Sequence, residues 1–145
     1  MDVAALLRSK GSEVVSVRPD DTIASAVSLL GEKNFGALVV SADGTRVDGI
    51  VSERDIVRHL NTRGADLLGD PVSSIATSTV TTCGPDDSVD GLMSTMTAGR
   101  FRHVPVVDDG GLAGVISIGD VVKHRVAQLE DANQQLNSYI TGFQR

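Results

Sequence analysis

An α/β (α+β) fold of two β-α-β-β-α repeats, packed sheet to sheet about a pseudo-twofold axis, is what the sequence predicts. A short helix precedes the pair and an extended helix follows it. Three observations lead there. The stretch Gly114-Val115-Ile116-Ser117-Ile118-Gly119-Asp120-Val121-Val122 nearly repeats Gly49-Ile50-Val51-Ser52-Glu53-Arg54-Asp55-Ile56-Val57: a glycine, a β-branched run, then Ser-x-x-Asp opening a helical pattern. The likeness extends outward in register. Pro19-Asp20-Asp21 and Pro85-Asp86-Asp87 lie 66 residues apart (85 − 19), as do Asp43-Gly44 and Asp109-Gly110, while Gly49 and Gly114 lie 65 apart (114 − 49). The stripes Ile23, Ala26, Val27, Leu30 and Val89, Leu92, Met93, Met96 also share one spacing. Self-similarity at a fixed period marks an internal duplication. Since each helix has one apolar face, a single unit leaves its sheet half covered, and the two units cover each other.

In chain order, residues 2–10 read as a short helix, with Asp2 as cap and Gly11 as stop. Val14-Val15-Ser16-Val17 reads as a brief strand ended by Arg18-Pro19. Asp20 or Asp21 then caps a helix whose stripe begins at Ile23. Ala37-Leu38-Val39-Val40 is a strand too uniformly apolar to have a wet side, and it turns at Asp43-Gly44 into an antiparallel partner over 47–51. A second helix runs from Ser52 to about Leu60. Residues 61–70 are polar and contain glycine, as linkers do, and 71–76 add a turn of helix. The order repeats with a strand at Val80-Thr81-Thr82, a helix carrying Val89 to Met96, strands at 104–107 and 112–116, and a closing helix from Ser117. The resulting division is 1–62 for the first repeat, 63–77 for the linker, 78–125 for the second repeat and 126–145 for a helical tail.

Composition narrows the function classes. With 3% aromatic residues in a chain of 145, the core is built from Val, Ile, Leu, Met and Ala. A net charge of −6 argues against a nucleic-acid binder, which carries a basic face. Cys83 stands alone, which excludes an intrachain disulfide and suits a reducing compartment. The apolar run at 3–7 is too short for a signal-peptide core, and no run reaches membrane-spanning length, so the expected location is the cytoplasm, without a membrane partner. His59, His103 and His124 form no His-x-x-x-His pair, and no Walker loop or Gly-x-Ser-x-Gly elbow occurs. Neither a catalytic residue nor a metal site is expected. His59 and His124, at equivalent places in the repeats, read as helix-surface residues, and Cys83 as a small packing residue.

The order of elements, the hydrophobic-Pro-Val-Val strand and the twice-occurring Gly-hydrophobic-hydrophobic-Ser-x-x-Asp junction resemble a tandem pair of cystathionine-β-synthase (CBS) domains, a Bateman module, over roughly residues 12 to 125. The resemblance implies a stand-alone regulatory sensor, not an enzyme, with no required cofactor. It would bind an adenosine-containing ligand (AMP, ADP, ATP, NAD or S-adenosylmethionine) between the repeats and act on a partner protein. The alternative is a structural dimerisation module without ligand.

Ser52 with Asp55, and Ser117 with Asp120, carry two compatible readings. Each pair is a capping box, a common device contributing ~1 kcal/mol. Each also stands at a helix N-terminus that can face a phosphate. By resemblance, Asp55 and Asp120 hold a ribose, while Ser52 and Ser117 contact ribose or phosphate. Pro105 interrupts the strand Val104-Pro105-Val106-Val107, and proline is confined to edges and bulges. The resemblance assigns base reading to the backbone there, by His103 and Val104 more surely than by Ala37 and Leu38, where Val39 replaces the proline. Arg102 and His103 match phosphate-gripping positions, with Arg100 nearby. The first repeat has Gly36 and Ala37 there instead, but supplies Arg54 where the second has Gly119. Two unequal clefts follow, the fuller expected around Val104, Pro105, Ser117 and Asp120 with Arg102 or His103.

Along the closing helix, Val122, Leu129, Leu136 and Phe143 recur every seven residues, with Val126, Asn133 and Ile140 between them. These are the d and a positions of about three heptads, with Asn133 a register-fixing polar residue. A homodimer is expected through this tail, against the alternative of a helix folded back on its own module.

Overall fold

A computed structural model describes residues 1–11 and 14–143, the side chains of 141–143 excepted. The first repeat contains strand β1 (Ser16–Val17), helix α2 (Ile23–Lys33), strands β2 (Ala37–Val40) and β3 (Gly49–Ser52), and helix α3 (Glu53–Arg63). Helix α1 (Val3–Lys10) precedes it. The second repeat contains α4 (Val89–Gly99), β4 (His103–Asp108), β5 (Gly111–Ser117) and α5 (Ile118–Phe143). Strand β2 lies between a parallel β1 and an antiparallel β3, and β4 pairs antiparallel with β5. All four residues of β2 are buried, as a strand with no polar position requires.

Three sequence expectations change. Thr22, not Asp20 or Asp21, caps α2: its hydroxyl accepts from Ser25 N at 3.2 Å, while Asp21 is turned back to accept from Arg18 N. Val27 is exposed while Ile23, Ala26 and Leu30 are buried, so the stripe on α2 is narrower than its spacing implied. The strand expected at Val80-Thr81-Thr82 is reduced to one parallel bridge, Cys83 to Val106. Cys83 N donates to Pro105 O at 3.0 Å and Val107 N donates to Cys83 O at 2.9 Å. The next bond of that ladder would need an N–H from Pro105, which proline lacks. In the first repeat Val39 stands at the equivalent place, and β1 forms beside it.

The duplication reaches further than the sequence reading carried it. Segment 64–76, read as linker and turn, forms two 3₁₀ turns that bury Leu67, Val72 and Ile75 in the core of the first repeat. Helix α1 buries Val3 and Leu6 in the core of the second repeat. The attachments correspond. Val72 N donates to Asp21 O and Ile23 N to Asp70 O, while Val3 N donates to Asp87 O and Val89 N to Met1 O. Val3 and Val72 are 69 residues apart (72 − 3), as are Leu6 and Ile75 (75 − 6). Each repeat is therefore preceded by a short segment that closes the other repeat's core, and burying each such side chain contributes about 1.5–3 kcal/mol. Two hydrophobic clusters result, one per repeat.

The glycines that open the repeated motif have no room for a side chain. A Cβ on Gly49 would lie 2.9 Å from Thr77 O, and one on Gly114 would lie 2.7 Å from a Leu7 methyl. Thr77 is held by a two-way bridge to Ile50, whereas a leucine methyl can turn aside. Gly49→Ala is therefore expected to destabilise the fold by about 1–3 kcal/mol, read from the urea midpoint, and Gly114→Ala by less. Equal midpoints for Gly49→Ala and wild type would show that the bridge yields freely.

Candidate functional site

Both Ser-x-x-Asp pairs are capping boxes in fact. At the start of α3, Ser52 N and Ser52 Oγ donate to Asp55 Oδ2 at 3.0 and 2.9 Å, and Asp55 N donates to Ser52 Oγ at 3.1 Å. Among the described residues, Asp55 Oδ1 has no protein partner. At the start of α5, Ser117 N donates to Asp120 Oδ2 at 2.8 Å and Asp120 N to Ser117 Oγ at 3.1 Å. Here a further group has arrived: Lys10 Nζ lies 2.7 Å from Asp120 Oδ2 and donates to Val115 O at 2.5 Å. Burial raises the pKa of Asp120, but the Lys10 ammonium and the Ser117 N–H outweigh it and hold the carboxyl below its ordinary value.

Each carboxylate faces a cavity. The larger, about 690 Å³, is walled by Ser52, Arg54, Asp55 and Arg58 from α3 and its cap, by Thr79 to Thr81, and by Arg100, Arg102 and His103. The smaller, about 290 Å³, is walled by Lys10, Val14, Val15, Phe35, Ser117 and Asp120. Gly36, Ala37 and His103 belong to both and form the partition. A Cβ on Gly36 would lie 2.9 Å from His103 Nε2, so only glycine lets the imidazole sit there. Burial, with the Lys10 and Arg102 charges added, lowers the His103 pKa from its ordinary value and favours the neutral ring.

This grouping differs from the one the sequence suggested. Arg102 shares a cavity with Ser52 and Asp55 of the first repeat, not with Ser117 and Asp120 of its own. The cause is the way the repeats meet. The start of β4 lies against the segment before β2, so the basic wall of the second repeat is turned toward the N-terminus of α3. Arg54 and Arg102, read as traded between two clefts, converge on one. Leu38, Val104 and Pro105 are buried and line neither cavity. Pro105 acts at one remove, by releasing Val80 and Thr81 from strand pairing onto the cavity wall.

The sequence reading missed Arg58, Thr79, Thr81 and Lys10. Arg58 lies four residues after Arg54, one helical turn along the same face, and that spacing was a usable signal. Nothing local marks Lys10, whose partner is 110 positions away.

The larger cavity is strongly cationic in a chain of net charge −6. Arg54, Arg58, Arg100 and Arg102 line it against the carboxylates of Glu53 and Asp55. Among the described residues, none of the four guanidiniums makes a hydrogen bond or ion pair. Arg100 ends α4 at φ 58°, the conformation Asn34 adopts after α2 at φ 57°. For a residue other than glycine or asparagine this costs roughly 1–2 kcal/mol. Cys83 is buried, and burial with the nearby Asp87 charge pushes its thiol up to about 11, so it is protonated at neutral pH. His59 Nδ1 lies 2.8 Å from Asp55 O, on its own helix.

Among the described residues no helix is long and apolar enough to cross a membrane. The family model described as the CBS domain matches residues 5–62 and 72–127. The second match begins at Val72, the residue that the 69-residue offset pairs with Val3. A mitochondrial CBS domain-containing protein of Arabidopsis thaliana, CBSX3, is 35% identical over 97% of this chain and 72% of its own. The crystal structure of a CBS-domain containing protein from Agrobacterium tumefaciens superposes with a TM-score of 0.81 at 48% identity, covering 86% of this chain and 99% of that one. The fold is also that of CBSX2, solved in complex with AMP, at a TM-score of 0.72 and 24% identity, covering 89% of this chain and 98% of that one.

Proposed function

The chain belongs to the CBS-domain family, and on that premise we propose that it is a regulatory module whose larger cavity binds an adenosine ligand bearing phosphates. One observation carries this reading: four arginines, none of them paired among the described residues, converge beside Asp55, whose bonds all fall on Oδ2. The Asp55 Oδ1 atom accepts from ribose hydroxyls, and the amides at the start of α3 add their partial positive charge near phosphate. The arginines take the phosphates, and charge-assisted bonds of this kind contribute about 1.5–3 kcal/mol each. The released stretch around Val80 and Thr81 is left to face the base. AMP is the ligand of a protein of this fold, and the cation count here favours ADP or ATP over AMP. S-adenosylmethionine, which brings its own positive charge, is disfavoured in this cavity.

Occupancy draws the two repeats together, since the cavity takes Asp55, Arg54 and Arg58 from the first and Arg100 and Arg102 from the second. The output then reaches a regulated protein through shape or assembly. Helix α5 offers the means of assembly, for its apolar stripe is uncovered, and we assign it to pairing with a second copy. Titration calorimetry tests the ligand reading. Affinity is expected to rise from adenosine through AMP to ADP, and Arg102→Ala is expected to lower ADP affinity about 10- to 100-fold while barely changing that for adenosine. Tighter binding of S-adenosylmethionine than of ADP, or no binding at all, would overturn it.

A further inference from the structure

The two cavities are pseudo-equivalent, yet their capping-box carboxylates differ: among the described residues Asp120 Oδ2 carries an ammonium, that of Lys10, and Asp55 Oδ2 carries none. Continuing the 69-residue offset from Val3 and Val72 brings Lys10 to Thr79 (79 − 10). The match holds in space as well as in count. Leu7 packs against Gly114 as Ala76 packs against Gly49. Lys10 then lies on the wall of the smaller cavity and Thr79 on the wall of the larger. Threonine is short and neutral and leaves Asp55 free. Lysine is long enough to cross the cavity, donating to Val115 O and to the carboxylate of Asp120.

We propose that Lys10 is a built-in occupant of the smaller cavity, its ammonium standing against Asp120 Oδ2 and Val115 O where a nucleoside would have to enter, so that the module binds one nucleotide rather than two. This rests on reading Asp55 and Asp120 as nucleoside-holding carboxylates. The ammonium meets the Asp120 carboxylate at Oδ2 with a full charge, a stronger partner than a neutral ribose hydroxyl. It enters from α1, whose Val3 and Leu6 are anchored in the core of the second repeat, so it is delivered by a fixed element. Among the described residues no arginine lines this cavity, and at about 290 Å³ it sits at the small end of ligand pockets, which run roughly 300–1,000 Å³. The ligand it would accept once emptied is therefore an uncharged nucleoside rather than a polyphosphate.

The test titrates adenosine into protein already saturated with ADP. Wild type is expected to show no further binding, Lys10→Thr to bind one equivalent, and Lys10→Thr combined with Asp120→Ala to bind none. Adenosine binding that is equal in wild type and Lys10→Thr, or absent from both, overturns the proposal. The reading on which it rests fails separately, if ADP does not bind wild type or binds Asp55→Ala unchanged. A gain of adenosine binding in Lys10→Thr supports the Lys10 assignment in either case.

Discussion

Saturating ADP is expected to raise the melting temperature of the protein by roughly 8 °C, and Asp55→Ala to remove most of that rise. A ligand that binds only the folded state, at one hundred times its dissociation constant, adds about 2.7 kcal/mol. For a chain near 150 residues, each kcal/mol moves the midpoint by roughly 2–4 °C. On the proposed reading Asp55 holds the ribose, and in the structure it also closes the α3 capping box. The substitution also removes a cap contribution of ~1 kcal/mol, so the quantity to compare is each variant's shift on adding ADP, not its absolute midpoint. Asp120→Ala is the control, since its carboxylate already belongs to Lys10 in the other cavity, and its ADP shift is expected to match that of wild type. A full shift in Asp55→Ala, with circular dichroism unchanged, would remove the carboxylate from the binding site. Loss of the shift in Asp120→Ala alone would return the ligand to the smaller cavity.

A chain ending at Arg125 is expected to associate at least about a hundredfold more weakly than the full chain, about 2.8 kcal/mol, and to sediment as a monomer where the full chain is a dimer. Along α5, Val122, Val126, Leu129, Leu136 and Ile140 are between 46% and 58% exposed, so the helix does not fold its stripe back onto its own repeat. Most helical stability in proteins comes from packing an amphipathic face, and the 26-residue α5 carries an apolar stripe on water, a surface awaiting a partner. The side chain of Phe143, the last position of the heptad pattern, lies outside the described residues. Asn133 at an a position would set the register, as single polar a residues do. Equilibrium sedimentation over a range of concentrations decides the matter. A monomeric full chain, or a truncated chain that pairs as tightly, would show that α5 is not the assembly element.

The sequence by itself determined the architecture, because a duplication writes every local rule twice. The existence of the helices, the turn at Asp43-Gly44 and the Ser-x-x-Asp junctions are short-range physics, set by residues close together in the chain. Each was legible in one copy and checked by the other. The same locality explains the errors. The strand at Val80-Thr81-Thr82 looks sound on its own residues and fails because of Pro105, more than twenty positions on, which has no N–H to complete the ladder. Segment 64–76 looks like a linker because Leu67, Val72 and Ile75 are spaced among polar residues, and only a core belonging to other elements reveals their burial. The candidate site divides the same way. Which residues belong to it was largely readable, from the capping motif and from the basic residues before β4. Which of them stand together was not. Arg102 faces Asp55 rather than Asp120, and Lys10 reaches Asp120, because the pseudo-twofold packing builds each cavity from pieces of both repeats. Such a partner is chosen by the meeting of two surfaces, and no periodicity within either segment encodes it.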